Sequence, residues 1–330
     1  MLNEFSGADG MRPADAMALT VQSVEDVALG VKKFVLADRN GNPLPAFEAG
    51  SHIEIILPNG ITRAYSLLNS PTETSRYVIA VHKSPDSAGG SLYMHEVLGA
   101  GDTVRAAPPR NNFELVETAA HACLIAGGIG ITPILSMIHR LCQLGRSWEL
   151  HYCARTREHA AFAGLLAELA KSSGNAVRFY FDLEPNGSRL DIGAVVAAAC
   201  EGTHLYCCGP KAMLTNFEEA TQALRDRAHV EYFEAKGPAA REGGFVVVLE
   251  KSGLTLTVPP GASILDVVGD AGVSVSSSCR EGICGTCETR VVEGVPDHRD
   301  ALLSDAEKQA NRTMMICCSG SKSGRLVLDL

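Results

Sequence analysis

The sequence predicts a multidomain chain of α+β and α/β type, in which an antiparallel β-barrel, a parallel α/β domain and a small cysteine-bearing domain follow one another. Three observations point there. Short runs of alternating apolar and polar residues, parted by turn clusters, fill the first third of the chain. Strand and helix patterns then alternate as in a parallel sheet with crossover helices. Near the C-terminus Cys279, Cys284 and Cys287 stand at C-x4-C-x2-C in a glycine-bearing loop, a metal-ligand spacing. The 330 residues suit two or three domains, since a single core stops growing at about 250 to 300 residues.

Composition narrows the class. Apolar residues make up 46% and charged residues 20%, as in soluble globular proteins. A net charge of -9 argues against a nucleic-acid surface and allows an acidic face that steers a basic protein partner. Eleven cysteines without a secretory leader read as reduced thiols of a cytoplasmic protein. The most apolar window, Ala122 to Ile138, is broken by Gly127, Gly128, Gly130 and Pro133, so no membrane span is expected. With no long exposed apolar pattern, a monomer is the default.

Residues 1 to 16 carry no apolar period and are expected to be a disordered tail. Strands are expected at Leu19 to Val24, Val31 to Leu36, His52 to Leu57, Tyr77 to Val81 and Asp102 to Arg105, within a barrel domain spanning 17 to 117. Inside it lie Arg63-Ala64-Tyr65-Ser66-Leu67 and Ala88-Gly89-Gly90-Ser91. An arginine beside an aromatic and a hydroxyl suits a phosphate and a planar ring, and a Gly-Gly-Ser turn opening a helix offers N-H groups to the same anion.

The α/β domain is expected over 118 to 235. The run Ala122 to Ala126 ends in Gly127-Gly128-Ile129-Gly130-Ile131-Thr132-Pro133 and leads into a helix from Ile134 to Leu144, with Thr132 as N-cap and Pro133 first in the helix. Glycines between strand and helix let a pyrophosphate approach the backbone, although the spacing is not the usual G-x-G-x-x-G. Further strands follow at Trp148 to Cys153, Val177 to Phe181 and His204 to Cys208. The last runs into Gly209-Pro210-Lys211 at a strand end, where such sheets bind ligands. Glu231-Tyr232-Phe233 closes the domain.

Residues 236 to 244 read as a linker and 245 to 330 as the last domain, with strands at Phe245 to Leu249, Leu254 to Val258 and Arg325 to Leu330, and helices at Ser263 to Asp270 and Asp305 to Ala310. Structural zinc sites pair two C-x2-C units, whereas here only Cys284 and Cys287 have that spacing, so a 2Fe-2S cluster is the favoured reading. The fourth cysteine is Cys317 or its neighbour Cys318.

This order of motifs resembles the phthalate dioxygenase reductase and vanillate O-demethylase reductase family, from about residue 18 to Leu330. The resemblance implies an FMN-binding barrel, an NADH-binding domain of the ferredoxin-reductase type and a C-terminal β-grasp ferredoxin. It implies that Arg63, Ala64, Tyr65 and Ser66 hold FMN, with Gly89, Gly90 and Ser91 at its phosphate. It places pyrophosphate at Gly127, Gly128, Gly130, Thr132 and Pro133, and nicotinamide at Cys208, Gly209 and Pro210. Phe233 matches an aromatic near the flavin, so Cys208, Ser66 and Phe233 are the residues expected at hydride transfer. His82 stands where relatives carry a longer basic side chain, and Lys83 follows it as a second candidate for the flavin phosphate. The 29 residues between Cys287 and Cys317 match plant-type ferredoxins, which makes Cys317 the fourth ligand and Cys318 a packed thiol.

Nicotinamide delivers a hydride and the cluster takes single electrons, so a flavin belongs between them. The expected path runs from NADH through FMN and 2Fe-2S to the Rieske centre of a separate oxygenase, leaving near Arg280 to Thr286. Hydride transfer needs no general acid or base and no nucleophile. Asp182 at a strand end opposes a 2′-phosphate while Arg155 and Arg157 favour one, and the resemblance implies NADH. Two alternatives are a diaphorase-like reductase with another acceptor and a zinc-stabilised interaction module.

Overall fold

The computed structural model describes residues 16–85 and 89–330, in two compact units, 16–231 and 232–330. The expected tail lies, but for Ala16, outside the described residues, as does Ala88 of the Ala-Gly-Gly-Ser turn.

The first unit opens with β1 (Met17–Ala28), β2 (Val31–Asp38), β3 (Ser51–Ile56), β4 (Thr62–Ser66), β5 (Tyr77–His82), α1 (Gly90–Glu96), β6 (Thr103–Ala106) and β7 (Arg110–Asn111). They form one antiparallel sheet in the order β4-β3-β6-β1-β2-β5, with β7 on β3. Among the described residues β4 and β5 are not paired, so the expected barrel is an open sheet curled about its core. Leu19, Val21, Phe34, Leu36, Ile53, Ile55, Tyr77 and Ile79 fill that core from alternate positions, each large side chain contributing about 1.5–3 kcal/mol. Strands β3 and β5 are buried on both faces over most of their length, where simple alternation predicts one wet face. The turn at Gly128–Gly130 packs on β5, and Ser136 donates to the Asn69 carbonyl at 3.2 Å and Gln143 to the Ser70 hydroxyl, tying the next helix to the segment after β4.

A second layer comprises β8 (His121–Gly127), α2 (Ile131–Gln143), β9 (Ser147–Ala154), α3 (Ala163–Ser173), β10 (Ala176–Phe181), α4 (Ile192–Ala198), β11 (Thr203–Cys208), α5 (Lys211–Ala220) and β12 (Ala228–Glu231). The sheet is parallel in the order β10-β9-β8-β11-β12. The chain starts in the middle, winds to one edge and returns to the other, which puts the switch point between the C-terminal ends of β8 and β11. Helix α2 begins earlier than expected. A 3-10 turn at Gly128–Gly130 runs into it, and Gly130 is already helical (φ -60°, ψ -6°), so Gly130 takes the cap position. Thr132 is not the N-cap: its hydroxyl donates to the Ile129 carbonyl at 3.0 Å, and Pro133 is the third helical residue.

The second unit contains β13 (Phe245–Leu249), β14 (Leu254–Val258), α6 (Ile264–Asp270), β15 (Glu288–Glu293), β16 (Pro296–Asp297), α7 (Asp305–Ala310), β17 (Thr313–Met315), β18 (Gly320–Ser321) and β19 (Arg325–Leu328). Its main sheet runs β14-β13-β19-β15-β17, with the β13–β19 pair parallel and the rest antiparallel, a β-grasp arrangement. Val247, Leu249, Ile264, Val268, Met314, Ile316, Leu326 and Leu328 form its core beside Cys287 and Cys317. Both short helices start with capping boxes, Ser263 with Asp266 and Ser304 with Glu307, each worth about 1 kcal/mol. Among the described residues no helix is long and apolar enough to cross a membrane.

Candidate redox site

The two motifs of the antiparallel sheet meet. A Cβ on Gly90 would stand 2.9 Å from Arg63 Cγ, so the start of α1 lies against the Arg63 side chain, and Gly89 holds the turn at φ 97°. Arg63 donates to the Thr62 carbonyl at 2.8 Å, and the Ser91 hydroxyl accepts from the Ser84 amide at 3.2 Å. Ala64 is exposed between Arg63 and Tyr65. Burial pushes the Tyr65 phenol up to about 12, partly offset by Arg63, so it remains protonated.

Ser66 pairs with His52 across β3 and β4. Among the described residues the buried Ser66 Oγ and His52 Nε2 have no hydrogen-bond partner. Two orphaned polar atoms on neighbouring strands cost several kcal/mol together unless a polar ligand edge meets them, which fits a flavin ring. His52 is invisible to motif reasoning, since a histidine within an apolar run reads as core.

Lys83 bonds to Glu96 at 2.9 Å, at the far end of α1 from the Gly89–Ser91 turn. His82 is held below its ordinary pKa by burial and by Arg155, His95 and His159. The structure joins neither side chain to Arg63 by a hydrogen bond or an ion pair among the described residues.

At the switch point the loops after β8 and β11 touch. A Cβ on Gly130 would come 2.2 Å from the Cys208 carbonyl oxygen, and one on Gly127 would come 2.6 Å from Pro210 Cδ. Only glycine permits this approach. Gly127, Gly130, Thr132 and Pro133 are buried, while Gly128 has open space above its Cα at φ 54° and its carbonyl accepts from the Tyr152 hydroxyl at 3.1 Å. Gly128 and Ile129 thus present the surface that a pyrophosphate can reach.

Cys208 ends β11 fully buried, paired in register with Glu231 of β12, and its Sγ donates to Glu231 Oε2 at 3.9 Å. Burial, then the neighbouring Glu231, raises the thiol well above its ordinary pKa, which excludes a nucleophilic thiolate. Glu231 as a residue is half-buried, but its carboxyl group is crowded by protein, and this burial pushes it up to about 8 against a smaller opposite effect of the Cys208 hydrogen bond. Sequence reasoning missed Glu231. Its signal was a lone carboxylate closing a short strand after the cysteine strand.

Arg157 lies 4.9 Å above the Phe181 ring, and Glu184 holds it through the Arg157 amide at 2.7 Å and Nε at 3.2 Å. Phe233 lies in the second unit, two residues past β12.

In the second unit Arg280, Gly282 and Gly285 take positive φ (57°, 73° and 78°), curling the loop so that amides face inward. Cys279 Sγ accepts from the amides of Glu281 at 3.3 Å and Ile283 at 3.5 Å. Cys284 contacts Cys279, and Cys287 contacts Cys317, and these thiol contacts with burial drive both groups upward. Buried thiols that oppose one another's ionisation, with amides aimed at sulfur, fit a bound iron-sulfur cation core that would reverse that opposition. Cys318 also touches Cys317, but its Sγ donates to the Met315 carbonyl at 3.7 Å and packs where a Gly282 Cβ would intrude at 2.5 Å. Cys279, Cys284, Cys287 and Cys317 are the group that fits.

An open flavin-type sheet, a parallel nucleotide sheet and a four-thiol β-grasp unit define the class: an electron-transferring flavin and iron-sulfur reductase. Residues 247–321 match the 2Fe-2S iron-sulfur cluster binding domain, and residues 124–219 match the oxidoreductase NAD-binding domain. The phenoxybenzoate dioxygenase subunit beta of Ectopseudomonas oleovorans is 50% identical, over 97% of this chain and 100% of the relative. The tetrachlorobenzoquinone reductase of Sphingobium chlorophenolicum is 47% identical, over 96% of this chain and 99% of the relative. The solved phthalate dioxygenase reductase superposes with TM-score 0.71 at 39% identity, over 96% of this chain and 98% of that one. An intact type IV self-sufficient cytochrome P450 monooxygenase matches with TM-score 0.85 at 36% identity, and there this chain covers 41% of the longer protein. The chain therefore belongs to the phthalate dioxygenase reductase and vanillate O-demethylase reductase family. It is an NADH-dependent flavin and iron-sulfur oxidoreductase that carries a 2Fe-2S cluster domain beside its NAD-binding domain.

Proposed function

We propose that this chain is the reductase component of a two-protein aromatic-ring oxygenase or demethylase, supplying electrons from NADH to the Rieske centre of a separate oxygenase. The observation that carries the reading is the four-thiol loop, attached behind a nucleotide sheet in the same chain, together with the dioxygenase name of a relative matched along its whole length. Bound FMN would convert one hydride, two electrons, into single electrons for the cluster.

The chain's own residues bind, orient and keep the site dry. Arg63 supplies the cation for the flavin phosphate and Gly90 gives the room beside it. Tyr65 packs on the flavin as an uncharged phenol, and Ser66 and His52 offer hydrogen bonds to its polar edge. Gly128 and Ile129 meet the pyrophosphate. Cys208, held as a thiol, walls the nicotinamide pocket and sets the hydride distance, and Glu231 orients it by accepting its proton in a hydrogen bond. The chain acts as a cytoplasmic monomer.

A second reading is favoured by the quinone-reductase relative: a direct quinone acceptor in place of an oxygenase. Steady-state NADH consumption with a purified Rieske oxygenase and its aromatic substrate, compared with a chlorinated benzoquinone, separates them. Coupled hydroxylation or demethylation supports the first, and turnover with quinone alone supports the second.

A further inference from the structure

The geometry points to a divalent transition-metal site, with zinc the best-matched ion, at the start of the parallel sheet, formed by Cys123, Glu149, His151 and His121. Cys123 and His121 lie on β8 and Glu149 and His151 on β9, with Cys123 in register against Glu149 and His121 against Ser147. The side chains share one face because residues two apart in a strand point the same way.

Cys123 Sγ, a Glu149 carboxylate oxygen and a ring nitrogen of His151 all lie within 4.8 Å of one another. His121 stands outside that group of three, its Nε2 3.8 Å from Glu149 Oε1, and would move in as the fourth donor, while His151 Nε2 stands 3.6 Å from Glu149 Oε2. Donors bound tetrahedrally to zinc at roughly 2.0 to 2.3 Å stand about 3.3 to 3.8 Å apart, so the His121 spacing to Oε1 matches an edge of such a shell, while His151 stands at a comparable distance from the Oε2 that Arg178 holds.

Both histidines are anchored in the same way. His151 Nδ1 bonds to the Tyr180 hydroxyl at 2.9 Å and His121 Nδ1 to the Ser147 hydroxyl at 2.8 Å, which anchors each ring through its Nδ1 and leaves Nε2 for the ion. Outer-shell partners on the distal nitrogen are what orient metal-binding imidazoles. His151 is buried at 4% exposure, and among the described residues its Nε2 has no hydrogen-bond partner. Burial also holds this imidazole below its ordinary pKa, in the neutral form that binds metal. Arg178 takes Glu149 Oε2 at 2.6 Å, leaving Oε1 for the ion. One sulfur, two imidazoles and one carboxylate form a set suited to zinc, and the bound ion displaces the Cys123 thiol proton to solvent.

This site is separate from the redox site. Cys123 lies four residues before Gly127, about 13 Å along the strand from the glycine loop. The ion would clamp β8 to β9 and raise thermal stability by mass action.

The test uses the full-length holoprotein, dialysed against Zn2+ and then metal-free buffer, with metal content normalised to cluster iron and X-ray absorption at the zinc edge. The expected result is one zinc per chain in a shell of one sulfur and several nitrogen or oxygen atoms. His121→Asn, at a partly exposed position, and Cys123→Ser should each weaken zinc binding at least tenfold, with iron, flavin and NADH-driven flavin reduction unchanged. Zinc that is absent, unaffected by both variants, or in an all-sulfur shell belonging to the C-terminal cysteines overturns the proposal.

Discussion

Cys208 and Glu231 face each other across two parallel strands, the thiol donating to the carboxyl group at 3.9 Å; burial and then Glu231 raise the thiol, while burial raises the carboxyl against a smaller lowering by the Cys208 hydrogen bond. A carboxyl pushed up to about 8 and a thiol pushed higher leave an uncharged pair at neutral pH, at the strand ends where the nucleotide is expected.

This pair sets a pH dependence of stability. Because Glu231 binds its proton more tightly folded than unfolded, its favourable contribution is complete below the unfolded carboxyl pKa and is lost as pH rises to about 8. Glu231→Gln keeps the shape and removes the titration. Denaturant unfolding at pH 5 and pH 9 should show the wild type losing more stability than the variant across that interval.

Cluster ligation separates two adjacent thiols. Cys317→Ser should lose the visible absorption and iron of the cluster while NADH still reduces the flavin. Cys318→Ser should retain the cluster, because its Sγ bonds to the Met315 carbonyl in the core. Iron analysis and anaerobic absorption spectra of both variants check this.

We propose that nucleotide preference rests in part on Arg157, which Glu184 holds over Phe181. Glu184→Ala frees the guanidinium for a 2′-phosphate. An exposed pair of this kind is worth about 0.2–1 kcal/mol, so kcat/KM for NADPH relative to NADH should rise by a factor of about 1.4 to 5.

Gly130→Ala would drive a methyl group to 2.2 Å from the Cys208 carbonyl oxygen. The loop must shift, costing about 1–3 kcal/mol. Unfolding free energy should fall by that amount, and the nicotinamide-dependent rate should fall with it, because Cys208 moves.

Much of this architecture is legible in local chemistry. Alternating residues such as Leu19 and Val21 mark β1, the strand-glycine-helix rhythm marks the parallel sheet, and the serine caps mark α6 and α7. What escapes is set by tertiary contact. The start of α2 moves because Gly128–Gly130 already turns, β5 loses alternation where that turn packs on it, and β15 is missed because only Thr289 and Val291 of its six residues are buried. Glu231 and His52 acquire their roles from partners distant in sequence, Cys208 and Ser66, which no local pattern couples.

The central claim is that one chain carries electrons from NADH through flavin to a 2Fe-2S cluster. Anaerobic titration of the purified protein with NADH, followed by absorption, tests it most directly. Bleaching of both flavin and iron-sulfur bands, with uptake of about three electrons per chain, is the expected result. A colourless zinc protein, or a cluster that stays oxidised while the flavin is fully reduced, would contradict it.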